Sequence, residues 1–275
     1  MEFEKIVEYY NSYNIISETL LYKRLKFISQ IRTNSQQSDL LTVLNDGRIA
    51  SCVEKAINIY DIYNNNKFSF EHESKEILSI CQIENSDIIS IHFSKEINLW
   101  SLSLIKCKFT SNVDDNIFKV VSLSNNRFAT VSEEKISIYN SDVTSLKILP
   151  RISEEPLSSI LFIREKDILI SAEDSCRLLF WSMSSYQCIT VIEKIFSHKN
   201  ALYQLDEEKL LIGTDFGNTM IFNIKEGTIE RYITEKEIRQ LGVCCLLRIR
   251  NKRGIICGYS SDSWMIYDIY KNQLK

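Results

Sequence analysis

The sequence predicts an all-β fold built from a unit of about forty residues. Three observations carry this prediction. Short apolar runs recur along the chain, each with a central aromatic residue, at Tyr60, Trp100, Tyr139, Trp181, Phe222 and Tyr267. Successive aromatics are 40, 39, 42, 41 and 45 residues apart, and self-similarity at such a period indicates stacked or radial supersecondary units. Helical periodicity is not sustained across any of the runs, whereas β-forming residues are frequent in them.

Each unit contains further β-rich runs before and after the aromatic. In the fourth unit the order is LSSILFI, DILISAE, LLFWSM and QCITVI, between residues 157 and 192. The runs are rich in Ile, Val, Phe and Tyr, and turns of Asn, Asp, Glu, Ser and Lys separate them. Four short strands per unit, six times over, predict a single β-propeller with six four-stranded blades.

The two ends of the chain complete this scheme. The sixth unit is one strand short, because only YKNQLK follows its third run. The β-rich run at 25–31, LKFISQI, is predicted to supply the missing strand and to close the ring. A seventh blade would need about 40 more residues. Residues 25–275 are therefore predicted to form the propeller, and residues 1–24 a short helical extension.

The N-terminal extension carries an apolar stripe. Phe3, Ile6, Val7, Tyr10 and Tyr13 recur at spacings of three and four, as on one face of a helix. Two interpretations stay open at this point. The stripe packs against the propeller, or it is offered to a partner chain.

Composition limits the classes of partner. The net charge is −3 and 44% of residues are hydrophobic, which predicts a sizeable core and no general attraction to nucleic acid or anionic membranes. The start, MEFEKIVEYY, lacks the features of a signal peptide, and no window approaches the roughly 18–20 apolar residues of a transmembrane helix. A cytoplasmic location is expected, with the nucleus left open. The eight cysteines form no Cys-x-x-Cys pair, so no metal site is predicted, and buried free thiols are expected instead.

The repeated units resemble WD40 repeats over roughly residues 25–275. The Trp-Asp position of that family is occupied here by Tyr60-Asp61, Trp100-Ser101, Tyr139-Asn140, Trp181-Ser182, Phe222-Asn223 and Tyr267-Asp268. Ser and Asn can replace Asp in such a turn, because their short polar side chains bond to nearby backbone. In the family, His, Ser, Asp and Trp form a hydrogen-bonded chain that ties the strands of a blade together. The resemblance implies this structural role for His72, Ser90 and Trp100, for Ser171, Asp174 and Trp181, and for His198. No unit carries all four residue types, and Phe93-Ser94 stands where unit two would have the Asp.

Catalytic chemistry is not predicted. The three histidines, His72, His92 and His198, are interpreted as structural, and no motif for a nucleophile, a metal or a bound phosphate is present. The run GTDFGNT at 213–219 is predicted to be a hairpin turn and not a nucleotide-binding loop, because no helix follows it. No cofactor is expected. The carboxylate pairs Glu133-Glu134, Glu154-Glu155 and Glu207-Glu208 fall in predicted turns and are interpreted as solvated loop charges.

One basic patch is a candidate binding site, and it consists of Arg239, Arg248, Arg250, Lys252 and Arg253. Three roles stay open for this patch: a plain hairpin turn, a contact with an acidic protein, or a contact with lipid phosphates. The WD40 resemblance implies a non-catalytic scaffold or adaptor for protein–protein interaction, and other proteins of a multiprotein complex are its expected partners. The alternative is a propeller that binds phosphoinositides or anionic membranes through the basic patch. Nucleic acid is not expected, because no aromatic residues are interleaved with the patch.

Overall fold

The structure is a computed structural model, and it describes residues 41–53, 55–61, 66–71, 76–193, 201–214, 217–233, 242–248, 254–259 and 264–268. These residues form six antiparallel sheets, of which five have four strands and the sixth has three. The strands of each sheet follow one another in chain order. The chain divides into two compact units, one with sheets 1 to 4 and the other with sheets 5 and 6.

Sheets 1 to 4 occupy the first unit. Sheet 1 consists of β1 Leu41–Val43, β2 Ile49–Val53, β3 Ala56–Asp61 and β4 Asn66–Glu71. Sheet 2 consists of β5 Ile77–Gln82, β6 Ile88–His92, β7 Glu96–Ser101 and β8 Lys106–Asn112. Sheet 3 consists of β9 Lys119–Ser122, β10 Phe128–Val131, β11 Ile136–Tyr139 and β12 Ser145–Ile148. Sheet 4 consists of β13 Leu157–Ile163, β14 Ile168–Glu173, β15 Arg177–Ser182 and β16 Gln187–Ile192, with a 3-10 turn at Arg164–Lys166.

Sheets 5 and 6 occupy the second unit. Sheet 5 consists of β17 Ala201–Gln204, β18 Lys209–Gly213, β19 Thr219–Asn223 and β20 Thr228–Ile233. Sheet 6 consists of β21 Val243–Arg248, β22 Gly254–Tyr259 and β23 Trp264–Asp268. The all-β fold and the repeated four-stranded sheet are thus confirmed. The helix predicted over 1–24 and the closing strand predicted over 25–31 lie outside the described residues.

The repeat is a repeat of register as well as of sequence. In every sheet the third-strand aromatic pairs with an apolar residue of the second strand: Tyr60 with Ile49, Trp100 with Ile88, Tyr139 with Phe128, Trp181 with Leu169, Phe222 with Leu210, and Tyr267 with Ile255. The pairing of the third and fourth strands slips directly before the aromatic in sheets 2, 3, 4 and 5. Such a bulge increases the local twist of the sheet.

The turns use few glycines, as the composition predicts. A left-handed backbone is adopted at the turn from the first to the second strand by Ser86, Asn125, Asn126 and Asp167. Gly227 takes this conformation at the turn from the third to the fourth strand of sheet 5. The corresponding turns of sheets 2 and 3 place Ile105 and Val143 there, with φ of 50° and 65°. Branched side chains are strained in this region, so two of the turns retain a local conformational cost.

The core of the first unit lies between neighbouring sheets. Three clusters of buried apolar residues join sheet 1 to sheet 2, sheet 2 to sheet 3, and sheet 3 to sheet 4. In the second unit a smaller cluster joins Leu211 and Ile221 of sheet 5 to Val243 and Leu246 of sheet 6. Gly213 is needed for that approach, because a Cβ atom there would lie 2.5 Å from Cγ1 of Val243.

Antiparallel order defines two ends for each sheet. The turns between the first and second strands and between the third and fourth strands share one end, which we call the lower end. The turns between the second and third strands share the other, upper end with the connectors that lead to the next sheet. In the first unit the connector from sheet 3 to sheet 4 covers residues 149–156.

Candidate interaction surface

Hydrogen bonds tie the tryptophans of sheets 2 and 4 to the serines expected from the sequence. Nε1 of Trp100 donates to Oγ of Ser90 over 2.7 Å. Nε1 of Trp181 donates to Oγ of Ser171 over 2.9 Å. All four side chains are buried. The same diagonal geometry recurs because each serine lies two residues beyond the partner of the aromatic on the second strand.

His92, interpreted from the sequence as structural but without an assigned partner, extends the chain of polar groups in sheet 2. Nε2 of His92 lies 2.8 Å from Oγ of Ser90 and 3.1 Å from Nδ2 of Asn98. The imidazole is 2% exposed, which makes it a structural group of the blade. His72 and His198, the two histidines that the resemblance places in such chains, lie outside the described residues. The signal that could have pointed to His92 is the alternation of strand β6, which puts residues 90 and 92 on one face.

Tyrosine replaces tryptophan in sheets 1 and 3. In sheet 1, Oγ of Ser51 is buried and has no hydrogen-bond partner among the described residues. In sheet 3 the ring of Tyr139 stacks on Phe128 with centroids 5.1 Å apart, and its hydroxyl is hydrogen-bonded to Ser137 and Thr130. Burial raises the pKa of the Tyr139 hydroxyl. The two sheets therefore differ, and sheet 1 is the one that leaves its serine without a partner.

Serine and asparagine replace aspartate in the turns after the aromatic, as the sequence predicts. Oγ of Ser101 accepts from the backbone N–H of Leu104 over 3.2 Å, and Oγ of Ser182 accepts from that of Ser185 over 3.4 Å. In sheet 5, Oδ1 of Asn223 accepts from the N–H groups of Lys225 and Glu226, each over 3.0 Å. Short polar side chains that bond to nearby backbone thus hold all three turns.

The basic patch is only partly within the described residues. Arg248 is the last residue of β21, and its backbone pairs with Ile255. Arg239, Arg250, Lys252 and Arg253 lie outside the described residues, so the patch stays a prediction from the sequence.

A shallow cleft lies at the upper end of sheets 3 and 4. Its volume is about 20 Å³, which is room for about one water molecule. Buried residues of both sheets form its floor: Ile136, Leu149, Leu157, Leu179 and Trp181. Pro150 and Ile152 of the connector line it as well, and the side chain of Ile152 is 44% exposed. The floor is therefore almost fully covered, and Ile152 is an exposed apolar side chain beside it.

The connector beside this cleft is fixed in place. The backbone N–H of Leu149 donates to the carbonyl of Ile136, and that of Leu157 to the carbonyl of Glu133, each over 2.9 Å. Between these anchors, Oγ of Ser153 donates to Oε1 of Glu173 over 2.7 Å. The chain's two prolines, Pro150 and Pro156, lie within the connector, and their locked φ angles restrict it further. This pairing of prolines is the signal in the sequence that could have indicated a preorganised segment.

Glu173 is a buried carboxylate at the edge of the cleft. Its side chain is 4% exposed and forms an ion pair with Nη2 of Arg177 over 2.7 Å. Asp174, the next residue, donates its backbone N–H to the carbonyl of Pro156 over 2.9 Å. Its Oδ1 atom is buried and has no hydrogen-bond partner in the described part of the chain. The turn after β14 therefore anchors the end of the connector, and Asp174 acts here through its backbone.

Glu134 and Glu155 line the cleft, and Glu133 and Glu154 precede them in the chain. Glu133, Glu134, Glu154 and Glu155 are all exposed, and no ion pair joins any of them to a cation of the described residues. The neighbouring cations are engaged elsewhere. Nζ of Lys135 pairs with Asp115 over 2.6 Å, and that hydrogen bond raises the pKa of Lys135. The guanidinium of Arg151 donates to the carbonyls of Ser153 and Glu154 over 2.6 and 2.7 Å. The residues that line the cleft therefore include the carboxylates of Glu134 and Glu155 together with the cations of Lys135 and Arg151.

The lower end of the first unit is tied together by its own turns. The backbone N–H of Asn126 in sheet 3 donates to Oε2 of Glu84 in sheet 2 over 3.0 Å. Arg164 of sheet 4 forms an ion pair with the same carboxylate. The bond from Asn126, followed by that from Arg164, lowers the pKa of Glu84. Nη1 of Arg127 donates to the hydroxyl of Tyr186 over 2.7 Å. These contacts link three sheets at their lower ends.

The fourth strands expose apolar side chains along their outer edges. The exposed residues include Phe109 on β8, Leu146 and Ile148 on β12, and Ile189 and Val191 on β16. Each fourth strand pairs with the third strand of its own sheet. The outer edges therefore offer a second kind of apolar surface besides the cleft.

Among the described residues, no three His, Cys, Asp or Glu side chains are grouped so that they could hold a metal ion. No helix in the described part of the chain is long and apolar enough to span a membrane.

The repeated four-stranded sheets and their register are those of a β-propeller, and comparison with solved structures supports this fold. A chain in the crystal structure of the mitotic checkpoint complex is similar over 88% of this chain and 76% of its own length, with a TM-score of 0.73 and 11% identity. The β-propeller domain of Cps50 (Swd1) from Myceliophteria thermophila is similar over 89% of this chain and 86% of its own, with a TM-score of 0.76 and 14% identity. No protein-family model and no curated protein matches the sequence. The likeness at these identities shows the fold alone.

Proposed function

We propose that the chain is a non-catalytic scaffold or adaptor that holds other proteins together as a subunit of a multiprotein complex. The observation that carries this proposal is the connector over residues 149–156, which is anchored at both ends and presents the exposed side chain of Ile152 at the upper end of sheets 3 and 4. Binding residues are commonly carried by loops that a rigid scaffold positions, and this connector has that arrangement.

Two further observations support the proposal. The fourth strands expose apolar side chains such as Phe109 and Ile189, which partner chains can cover. The fold is shared with a chain of the mitotic checkpoint complex, which is by its description an assembly of proteins. Fold likeness alone does not determine function, so the surface features carry more weight.

The described residues offer few side chains that could act in catalysis. His92 is the one histidine among them, and its Nε2 atom is buried between Ser90 and Asn98. General acid–base catalysis needs a group that can reach a substrate. We therefore propose that the chain has no enzymatic activity and needs no cofactor.

Affinity purification of the tagged full chain from its native extract tests the proposal. We expect one or more other proteins to co-elute in stoichiometric amounts and to stay bound through size-exclusion chromatography. A chain that is recovered alone under gentle conditions at physiological salt would contradict the proposal. Fluorescence microscopy of the same tagged chain tests the cytoplasmic location that we propose, and a location outside the cytoplasm and nucleus would overturn it.

We also propose that the strand predicted at 25–31 pairs with sheet 6 and closes a ring of six four-stranded blades, with residues 1–24 as a separate extension. A free sheet edge favours aggregation, and a fourth strand would cover that of sheet 6. Deleting residues 1–31 should lower the unfolding midpoint and cause aggregation, whereas deleting residues 1–24 should leave both nearly unchanged. Equal behaviour of the two deletions would contradict the closing strand.

Contact with phosphoinositides or anionic membranes is a second candidate function, favoured by the five basic residues from Arg239 to Arg253. Binding to vesicles with anionic lipid should then fall with salt and should be abolished by Arg250→Glu with Arg253→Glu. Equal binding to neutral vesicles, or no binding at low salt, would rule this function out.

A further inference from the structure

We propose that β16, the outer strand of sheet 4, is a docking edge on which a second copy of this chain pairs its own β16 in antiparallel orientation. The inference goes beyond the proposed scaffold function, because it assigns an interface of the chain with itself. Nothing in the fold as such requires this interface, so it is argued from the residues of the strand.

β16 lies at the open edge of its sheet. It pairs with β15 on one side only, so the backbone N–H and C=O groups on its other side face no strand of the described chain. Its side chains are exposed as well, with Ile189 at 53% and Val191 at 38%. An edge with free backbone groups and apolar side chains is a template for a further strand.

Among the five described fourth strands, β16 alone carries no charged residue. The other four place charges on the outer edge: Lys67 and Glu71 on β4, Lys106 and Lys108 on β8, Lys147 on β12, and Glu230 and Arg231 on β20. Charged side chains on an edge strand, lysine above all, hinder its pairing with another chain. β16 lacks this protection.

The register shows where the difference lies. The extra residue of the bulge in sheets 2 to 5 is, in order, Lys108, Leu146, Ile189 and Glu230. Lys108 pairs with Asp87 at the start of β6, and Glu230 pairs with Lys209 at the start of β18, each over 2.7 Å. Sheet 4 has Ile189 and Ile168 at these two positions. The bulge is common to the four sheets, so the distinguishing property of β16 is its apolar edge.

The missing charges make β16 complementary to itself. A partner strand must be uncharged, because a charge buried against β16 would find no counter-charge on it. The β16 of a second copy meets this requirement, and its β-branched residues favour strand pairing. Glu193, exposed directly after the strand, selects the orientation. Parallel pairing would set two carboxylates side by side, whereas antiparallel pairing places them at opposite ends.

Such a contact closes as a dimer and is small. An antiparallel pair of identical strands has twofold symmetry, so each copy uses the same edge and no open chain of copies results. A strand of six residues spans about 20 Å. The interface is therefore smaller than the roughly 1,200–2,000 Å² of a stable complex. We expect a weak dimer that forms as the protein concentration rises.

Sedimentation velocity of the purified full chain over an about hundredfold range of concentration tests the proposal. The mean mass should rise from 32.1 kDa towards twice that value and no further. Ile189→Lys places at the bulge the residue type that sheet 2 has there, and it should weaken dimerisation by about tenfold or more. Val191→Lys should act in the same direction. Leu146→Lys is the matched control, because it adds the same charge at the same position of sheet 3, and it should leave the dimer unchanged.

A mixture of two variants tests the twofold arrangement. Residue 189 lies near the middle of β16, so its two copies come close together in an antiparallel pair. Ile189→Glu alone should be monomeric, like Ile189→Lys. An equal mixture of these two variants should dimerise again, because each lysine then faces a glutamate. Circular dichroism of each variant verifies that the fold is retained.

Four results would overturn the proposal: a wild type that stays at 32.1 kDa throughout, growth beyond the dimer, equal loss of the dimer in Ile189→Lys and Leu146→Lys, or a mixture that stays monomeric. None of them touches the scaffold function, which is measured by the other proteins that co-purify. A homodimer recovered with no other protein would instead support this interface and contradict the scaffold function.

Discussion

The indole of Trp100 donates its Nε1–H to Oγ of Ser90 across 2.7 Å inside sheet 2. The bond crosses from the third strand to the second, and it recurs between Trp181 and Ser171 in sheet 4. In sheet 1 the aromatic is Tyr60, and Ser51 at the matching position has no partner among the described residues. The protein thus contains two sheets with this hydrogen bond and one sheet in which the corresponding serine has no partner among the described residues.

This comparison leads to the first prediction. Ser90→Ala and Ser171→Ala should each lower the free energy of unfolding by about 1–3 kcal/mol, because a buried indole N–H loses its acceptor. Ser51→Ala should be neutral or slightly stabilising, since it removes a buried hydroxyl without a partner. Urea denaturation with an unchanged m-value measures all three. If Ser51→Ala costs as much as the other two substitutions, the hydrogen bonds are not what distinguishes the sheets.

The second prediction concerns the strained turns of sheets 2 and 3. Ile105 has a φ of 50° and is 51% exposed. Ile105→Asn should therefore stabilise the protein by about 1 kcal/mol, because Asn tolerates the left-handed region and little apolar burial is lost. Val143 has the same kind of backbone but is buried. Val143→Asn should destabilise, and a thermal shift of the same sign in both variants would contradict this explanation.

The third prediction is a pH dependence that arises from Glu84. Its pKa is lowered in the folded state by the N–H of Asn126 and by Arg164. A lowered pKa means that the carboxylate stabilises the fold above the unfolded-state pKa, near 4.3, and that this stabilisation is lost as the pH falls towards the folded-state pKa. Glu84→Gln should therefore be less stable than the wild type at pH 7. The difference should shrink as the pH is lowered through this range, and a gap of constant size down to pH 3 would exclude the carboxylate as its source.

The fourth prediction concerns the thiols. Burial strongly raises the pKa of Cys52 and Cys81, whereas Cys107 and Cys176 are half-buried. Iodoacetamide at pH 8 should therefore label Cys107 and Cys176 in the native protein, and Cys52 and Cys81 only after denaturation. Peptide mass spectrometry over a time course measures the order in which the four cysteines are labelled. Early labelling of Cys52 or Cys81 would show that sheets 1 and 2 open readily.

Much of the fold could be predicted from the sequence. The strands are short β-rich runs between polar turns, and the spacing of the aromatics reveals the repeat because each sheet places its aromatic at the same register. The partnership of Trp100 with Ser90 was implied by the resemblance to WD40 repeats. His92 was not recognised as its neighbour, because the contact depends on the exact cross-strand geometry that also brings Asn98 to the ring.

The cleft could not be predicted in the same way. Its residues come from three separate stretches, including Lys135, Ile152 and Trp181, and only the packing of sheet 3 against sheet 4 brings them together. The pairs Glu133-Glu134 and Glu154-Glu155 were interpreted as solvated loop charges, which describes their exposure. What spacing could not show is that Glu134 and Glu155, one from each pair, line the same cleft.

The central claim is that this propeller works by holding other proteins, and the native size of the chain tests it most directly. The tagged chain from its native extract should sediment at physiological salt as a particle well above its own 32.1 kDa. Mass spectrometry should find other proteins in the same fractions at constant ratios. Sedimentation of the whole population at 32.1 kDa, with no protein following it, would contradict the claim.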